Sequence, residues 1–110
     1  MIKDRFARVK LIKRHPNQRP ISYVGKVTAF SENWIVMEAK CIMLNRHEQT
    51  GVQIDKLPSA MMIPRENIES IRVLPDNFNM ERLTVTTNGQ QLVLHVDGQR
   101  DAFLGELGEG

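Results

Sequence analysis

The chain has 110 residues, of which 41% are hydrophobic and 25% are charged, the size and balance of one ordinary globular domain. No stretch approaches the roughly 20 consecutive apolar residues that a membrane helix needs. Residues 1–15 interrupt their apolar positions with charges, so we expect neither a signal peptide nor a membrane span. The single Cys41 permits no internal disulfide and is typical of a reducing compartment. These features predict a soluble, cytoplasmic protein.

The formal net charge of +2 is unevenly distributed along the chain. Residues 1–20 contain seven basic residues and one acidic residue, a net of +6, which leaves −4 for the remainder. A basic segment of this kind can bind a polyanion through counterion release at phosphates. It can also be a solvated strand edge, where Lys and Arg prevent edge-to-edge association. The sequence leaves both interpretations open.

The first strand candidate, residues 5–12, places Ala7, Val9 and Leu11 on one face opposite Arg8 and Lys10. Residues 13–20 contain two prolines and an asparagine and are predicted to form a connecting loop.

Residues 21–44 are predicted to form two long strands joined by a tight turn at Ser31-Glu32-Asn33. Gly25 lies inside the first of them and indicates a bulge, a bend or a close backbone approach. In the second strand every other residue is apolar, which predicts a face that points into a core. That set is Ile35, Met37, Ala39, Cys41 and Met43.

Residues 45–59 have no sustained period and are predicted to be a long, mobile loop, a kind of segment that is usually functional or disordered. Two short apolar strands follow, at residues 60–63 and 68–74, with a turn at residues 64–67 between them. Five strands with short turns favour a small all-β barrel.

The C-terminal third begins with a linker after Pro75 and continues into a predicted β-hairpin at residues 82–96. Asn88-Gly89 is the preferred dipeptide of a two-residue type I′ turn. Pairing through that turn sets Thr87 opposite Gln90, and the apolar residues then meet on one face. The pairs are Val85 with Leu92 and Leu83 with Leu94. Residues 97–110 are predicted to be a flexible acidic tail, weakly anchored by residues 102–104 and by Leu107.

No motif predicts catalysis or a cofactor. His15, His47 and His95 are scattered, and no Cys, His or acidic cluster has the spacing of metal ligands. The sequence contains no Gly-rich phosphate loop and no GxSxG elbow. We therefore expect a protein that is not an enzyme and that needs no metal or cofactor.

The order of these elements resembles the Sm-like family, which includes Sm, LSm and Hfq proteins. Its first motif is similar to residues 25–37, in which a strand with a glycine leads through a short turn into a third strand. Its second motif is similar to residues 63–71. The resemblance covers about residues 5–75 and implies an all-β, strongly bent five-stranded Sm-like (SH3-like) barrel as the domain of residues 1–75. The hairpin and tail of residues 76–110 are additional.

The resemblance also implies a homo-oligomeric ring of five to seven subunits that binds single-stranded RNA. The two motif turns would line its pore, and the basic first strand and loop would contribute phosphate contacts from the ring's rim or one of its faces. The implied RNA-binding positions are Glu32, Asn33, Trp34, Arg65, Glu66 and Asn67, together with Arg8, Lys10, Lys13 and Arg14. Asn33 and Asn67 would read base edges, Arg65 would meet phosphate, and Trp34 would stack a base. The alternatives are that Trp34 only packs and that the two asparagines only form turns.

Ring closure in this family pairs the fourth and fifth strands of neighbouring subunits. The implied interface residues are Met61, Ile63, Ile68, Ile71 and Val73. A second interpretation keeps the ring but makes it a structural scaffold that binds protein partners, since Glu32 and Glu66 would repel phosphate at the pore.

Overall fold

The computed structural model describes residues 2–15, 18–44 and 51–106. These residues form nine strands and one short 3-10 helix. The strands are β1 (Phe6–Leu11), β2 (Ile21–Phe30), β3 (Trp34–Leu44), β4 (Val52–Ile54), β5 (Ser59–Pro64), β6 (Ile68–Val73), β7 (Val85–Asn88), β8 (Gln91–Leu94) and β9 (Ala102–Glu106), and the helix is Arg65–Asn67. All pairings between strands are antiparallel, and the prediction of an all-β domain is confirmed.

The first sheet contains six strands in the order β4-β3-β2-β1-β6, with β5 also paired to β3. The long strand β3 pairs with β5 along its first half and with β4 along its second half. The five strands expected in this region are all present. Strand β4 is additional, and it lies inside the segment that was expected to be an irregular loop; residues 45–50 of that loop fall outside the described residues.

The first sheet is strongly curled. Strands β5 and β6 lie on opposite sides of it, and in a flat sheet four spacings of about 4.8 Å would separate them. The 3-10 helix that joins them has only three residues and rises by about 2 Å per residue, so the two edges must approach each other. No closed barrel forms among the described residues, because β5 pairs only with β3 and β6 only with β1.

Gly25 lies where β2 and β3 approach closely. A Cβ atom there would press against the carbonyl oxygen of Glu38 and would lie 2.6 Å from the Ala39 Cα atom. Two residues further along, the register of β2 against β3 shifts between Val27 and Ala29, which is a β-bulge. Of the bulge, bend or close backbone approach expected at Gly25, the close approach is confirmed.

The second sheet has the order β7-β8-β9. The predicted hairpin is present, but its register was wrong. Asn88 pairs with Gln91, so the turn residues are Gly89 and Gln90. Gly89 has φ of 62°, and no described non-glycine residue other than Asp4 has a positive φ. Glycine at the first central position with an ordinary second residue is the type II′ pattern rather than type I′.

The C-terminal segment is more ordered than expected. Residues 102–106 form β9, which pairs along β8, and Ala102 and Leu104 are fully buried. This third strand explains why the hairpin is stable, since two strands alone are marginal in water. Leu107, the other expected anchor, lies outside the described residues.

Two apolar cores lie on the two faces of the first sheet. The inner core fills the curl and contains Ala7, Val9, Val27, Ile35, Met37, Ala39 and Ile63. The outer core lies between the two sheets and contains Val24, Ile42, Leu44, Leu74, Leu92, Leu94, Val96, Ala102 and Leu104. The second sheet therefore covers the outer face of the first sheet at β2 and β3.

Because the second sheet covers this face, the prediction of which side chains of β3 are buried was partly wrong. Ile35, Met37 and Ala39 point into the inner core as expected, but Cys41 and Met43 are only half-buried. Ile42 and Leu44, on the opposite face, are the buried residues of the second half. The alternation was misleading there because both faces of β3 are apolar beyond Lys40, and the second sheet determines which face is buried.

Candidate functional site

Two turns that are far apart in sequence meet at one end of the first sheet. They are the β2–β3 turn, Ser31–Asn33, and the 3-10 helix, Arg65–Asn67. Pairing of Trp34 with Pro64 brings them together. The amide of Arg65 donates to the carbonyl of Asn33 at 2.9 Å, and its Nη1 donates to the carbonyls of Ser31 and Glu32 at 3.2 and 3.1 Å. Arg65 therefore ties the second turn to the first.

Each turn is also closed by its own hydrogen bonds. The amide of Ser31 donates to the Trp34 carbonyl at 2.9 Å, and the Ser31 hydroxyl oxygen accepts from the Trp34 amide at 3.2 Å. In the second turn the amide of Ile68 donates to the Arg65 carbonyl and ends the helix. The turns are thus held by backbone groups together with the Ser31 hydroxyl and the Arg65 guanidinium, and the side chains of Glu32, Asn33 and Glu66 remain exposed.

A cleft of about 510 Å³ opens between the two turns. Its walls are Glu32, Asn33, Trp34, Pro64, Arg65 and Glu66. Trp34 is 43% exposed, which is a large fraction for a tryptophan. Of the ten residues expected to bind RNA, six belong to the two turns, and five of those six share this cleft. The sixth, Asn67, lies beside it on the same helix.

Phe30 is a member of this surface that the sequence did not single out. It is 42% exposed at the end of β2, and the Arg65 guanidinium carbon lies 4.8 Å from its ring centroid. In the sequence, the indication that Phe30 could reach this surface was its position directly before the β2–β3 turn. A cation over an aromatic face is attractive and holds the arginine side chain near the cleft.

Asn67 connects the second turn to the basic N-terminal segment. Its carbonyl accepts from the Ile12 amide at 2.7 Å, and its Oδ1 accepts from Arg14 Nη2 at 2.9 Å. The same Nη2 donates to the Glu66 carbonyl at 3.2 Å. Arg14 therefore adds a positive charge next to the cleft.

The other basic positions of the expected site lie elsewhere. Arg8 and Lys10 are 7% and 6% exposed, which corrects the expectation of an exposed basic face on β1. Lys10 Nζ forms an ion pair with Glu69 Oε2 at 3.0 Å. Lys13 is half-buried in the segment after β1. Of the four basic residues expected to meet RNA, the structure places Arg14 against the second turn.

The residues expected at a subunit interface fall into two groups. Ile63 is 3% exposed and belongs to the inner core, against which Met61 and Ile68 also pack. Ile71 and Val73 are 37% and 40% exposed on β6. The sequence analysis missed Met62, which is 61% exposed on β5; its position between the inward residues Met61 and Ile63 was the available signal.

Comparison with known proteins identifies no relative. No family model, no curated protein and no solved structure matches this chain. Within the described residues no group of three or more His, Cys, Asp or Glu side chains could hold a metal ion, and no helix there has the length and hydropathy to cross a membrane.

Proposed function

We propose that this protein is an Sm-like, ring-forming protein that binds single-stranded RNA in the cleft between its two turns. The observation that carries the proposal is the cleft itself, because the two segments that resemble the family's motifs meet there. They supply an exposed aromatic ring, an arginine and a side-chain amide within one surface.

The side chains around the cleft match the needs of an unpaired nucleotide. Trp34 offers a ring on which a base can stack, an interaction that tolerates any base. The hydrogen bonds described for the Arg65 guanidinium leave from Nη1, so Nη2 and Nε are placed to donate to a phosphate. Glu32 and Glu66 repel phosphate but can accept from base amino groups, which would favour particular bases.

The free edges of the first sheet support ring assembly. Within the described residues β5 and β6 each pair on one side only, and they carry the exposed side chains Met62, Ile71 and Val73. Such apolar edges are templates for pairing with another chain. Head-to-tail pairing of β5 with a neighbour's β6 generates a closed ring when the rotation between subunits closes, five to seven subunits being the family's pattern.

The direct test is fluorescence anisotropy with uridine-rich and adenine-rich oligonucleotides over a salt series, on protein of known mass from light scattering. We expect binding that weakens as salt rises. Arg65→Ala should lower affinity by about tenfold while the ring persists, the usual scale for losing a charge-assisted hydrogen bond. Lys56→Ala, which removes a charge outside the cleft, should bind like the parent protein. Unchanged affinity in Arg65→Ala would remove the cleft from the proposal.

A second candidate is a scaffold ring of the same architecture that binds protein partners and not RNA. The carboxylates of Glu32 and Glu66 in the cleft favour it, because they flank the one arginine that lines this cleft. If light scattering shows a ring and anisotropy shows that neither oligonucleotide binds even at low salt, the result would favour this candidate.

A further inference from the structure

A second cleft, of about 400 Å³, lies between the β1–β6 edge of the first sheet and the second sheet. Three arginines line it: Arg8 of β1, Arg72 of β6 and Arg100 of the segment before β9. Asn88, Gln91 and Phe103 of the second sheet also line this cleft. This cleft is separate in residues from the one between the two turns.

Arg8 is the unusual member of this cleft. Its side chain is buried, and its Nη1 donates to the Ser70 hydroxyl at 2.9 Å. Its Nε is also buried, and no hydrogen-bond partner for it exists among the described residues. A buried guanidinium that is left without a full set of acceptors destabilises the fold, so such a group needs a compensating role or ligand.

Arg72 adds a second positive charge next to Arg8. It lies directly opposite Arg8 in the β1–β6 register, where like charges are unfavourable. Burial, and then the charge of Arg72, hold the pKa of Arg8 below its usual value, whereas Glu69 raises it.

The acceptors that surround Arg72 are neutral. It donates to the carbonyls of Arg100 and Asp101 at 2.6 and 3.4 Å and to the Gln99 side chain at 3.5 Å. In the described chain no ion pair joins Arg8, Arg72 or Arg100 to a carboxylate.

The nearby carboxylates are committed to other groups. Glu69 pairs with Lys10, and Asp101, which also lines the cleft, has its Oδ1 3.3 Å from His95 Nδ1 and 3.4 Å from the Val96 amide. The cleft therefore has an excess of positive charge that an anion would balance.

We propose that this cleft binds the phosphate group of a small phosphorylated molecule. Guanidinium groups match the geometry of phosphate, and the near-double charge of a phosphate monoester suits two facing arginines better than a single carboxylate does. The volume greatly exceeds the share of one water molecule, about 30 Å³, so the cleft has room for the organic part of the ligand. The Asn88 and Gln91 amides and the Phe103 ring are placed to contact that part.

The test is thermal unfolding and calorimetric titration of the full chain with inorganic phosphate and with AMP, against adenosine and against chloride at equal ionic strength. Phosphate and AMP should raise Tm progressively as their concentrations exceed their Kd values. Adenosine and chloride should leave Tm unchanged. Arg8→Met should lower AMP affinity by tenfold or more, the scale expected for losing charge-assisted hydrogen bonds. Without ligand this variant should be at least as stable as the parent, because an unbalanced buried charge is removed.

The controls separate this site from the RNA cleft. Arg65→Ala should retain the phosphate response, and Arg8→Met should retain oligonucleotide binding. If Arg8→Met does not fold, Arg100→Gln, at an exposed position, takes its place with the same expectations for ligand. A Tm that responds to phosphate no more than to chloride would overturn the proposal, as would parent-like AMP affinity in both variants. Loss of oligonucleotide binding in Arg8→Met, with no AMP binding by the parent, would assign the cleft to an RNA backbone instead.

Discussion

Gly25 shows how a single residue permits two strands to approach closely. Any side chain there would meet the backbone of Glu38 and Ala39, which cannot move aside as a flexible side chain would. Gly25→Ala should therefore destabilise the protein by about 1–3 kcal/mol, the usual cost of overpacking. Glu38→Gln, at an exposed position in the adjacent strand, should change stability by less than about 0.5 kcal/mol. Urea unfolding of both variants measures this, and equal stabilities would show that the two strands can separate at no cost.

The His95 imidazole lies beside two carboxylates, with Nε2 2.8 Å from Asp97 Oδ1 and Nδ1 3.3 Å from Asp101 Oδ1. A hydrogen bond to Asp97, with Asp101 also nearby, raises its pKa above the ordinary value of 6.5. Because the folded pKa is raised, the protonated form stabilises the fold fully below pH 6.5, and this contribution disappears as the pH rises through the folded pKa. Tm measured upward from about pH 6 should fall more in the parent than in His95→Gln. Identical profiles would mean that the contact contributes nothing, as many exposed ion pairs do.

At the scale of elements, the edge of β6 that has no partner strand among the described residues is the feature on which the proposed ring assembly depends. Ile71→Asp places a charge among the apolar side chains of that edge and should convert the ring to monomers in light scattering. Leu57→Asp is the matched control, since Leu57 is 78% exposed between β4 and β5. Circular dichroism should show both variants folded, and Val73→Asp should repeat the effect. A ring that survives both edge variants would exclude pairing through β6.

The strands were predictable to different extents for identifiable reasons. The alternation of Ile35, Met37 and Ala39 located β3 and its inner face correctly. It failed beyond Lys40, because both faces are apolar there and the covering sheet lies about 50 residues later in the chain. The hairpin was located correctly but its register was not, because Gly89 takes the first central position of the turn and Asn88 the last paired position of β7. The dipeptide preference of Asn88-Gly89 alone does not distinguish these two placements of the glycine.

The candidate site was likewise predictable from the sequence only in part. The meeting of the two turns could be expected only from the family resemblance, because no local pattern joins residues that are more than 30 positions apart. The burial of Arg8 could not be expected at all. Alternation in β1 assigns it to the face opposite the core, and only the second sheet makes that face an interior one.

At the scale of the whole molecule, the outer core makes the two sheets one structural unit. It combines Val24, Ile42 and Leu44 of the first sheet with Leu92 and Leu94 of the second. Leu94→Ala should cost about 2–5 kcal/mol, the range for truncating a buried leucine. It should lower the unfolding midpoint seen by Trp34 fluorescence in the first sheet as much as that seen by circular dichroism. Two separated transitions would show that the sheets unfold independently.

The proposed binding of RNA between the two turns is tested most directly by the fluorescence of Trp34, which is the only tryptophan in the chain and lines the cleft. Titration of the assembled protein with a uridine-rich oligonucleotide should change the Trp34 emission in a saturable way, because a stacked base alters the surroundings of the indole ring. The change should be weakened by Arg65→Ala and unaffected by Arg8→Met. An emission that stays constant throughout the titration would contradict the assignment of this cleft to RNA.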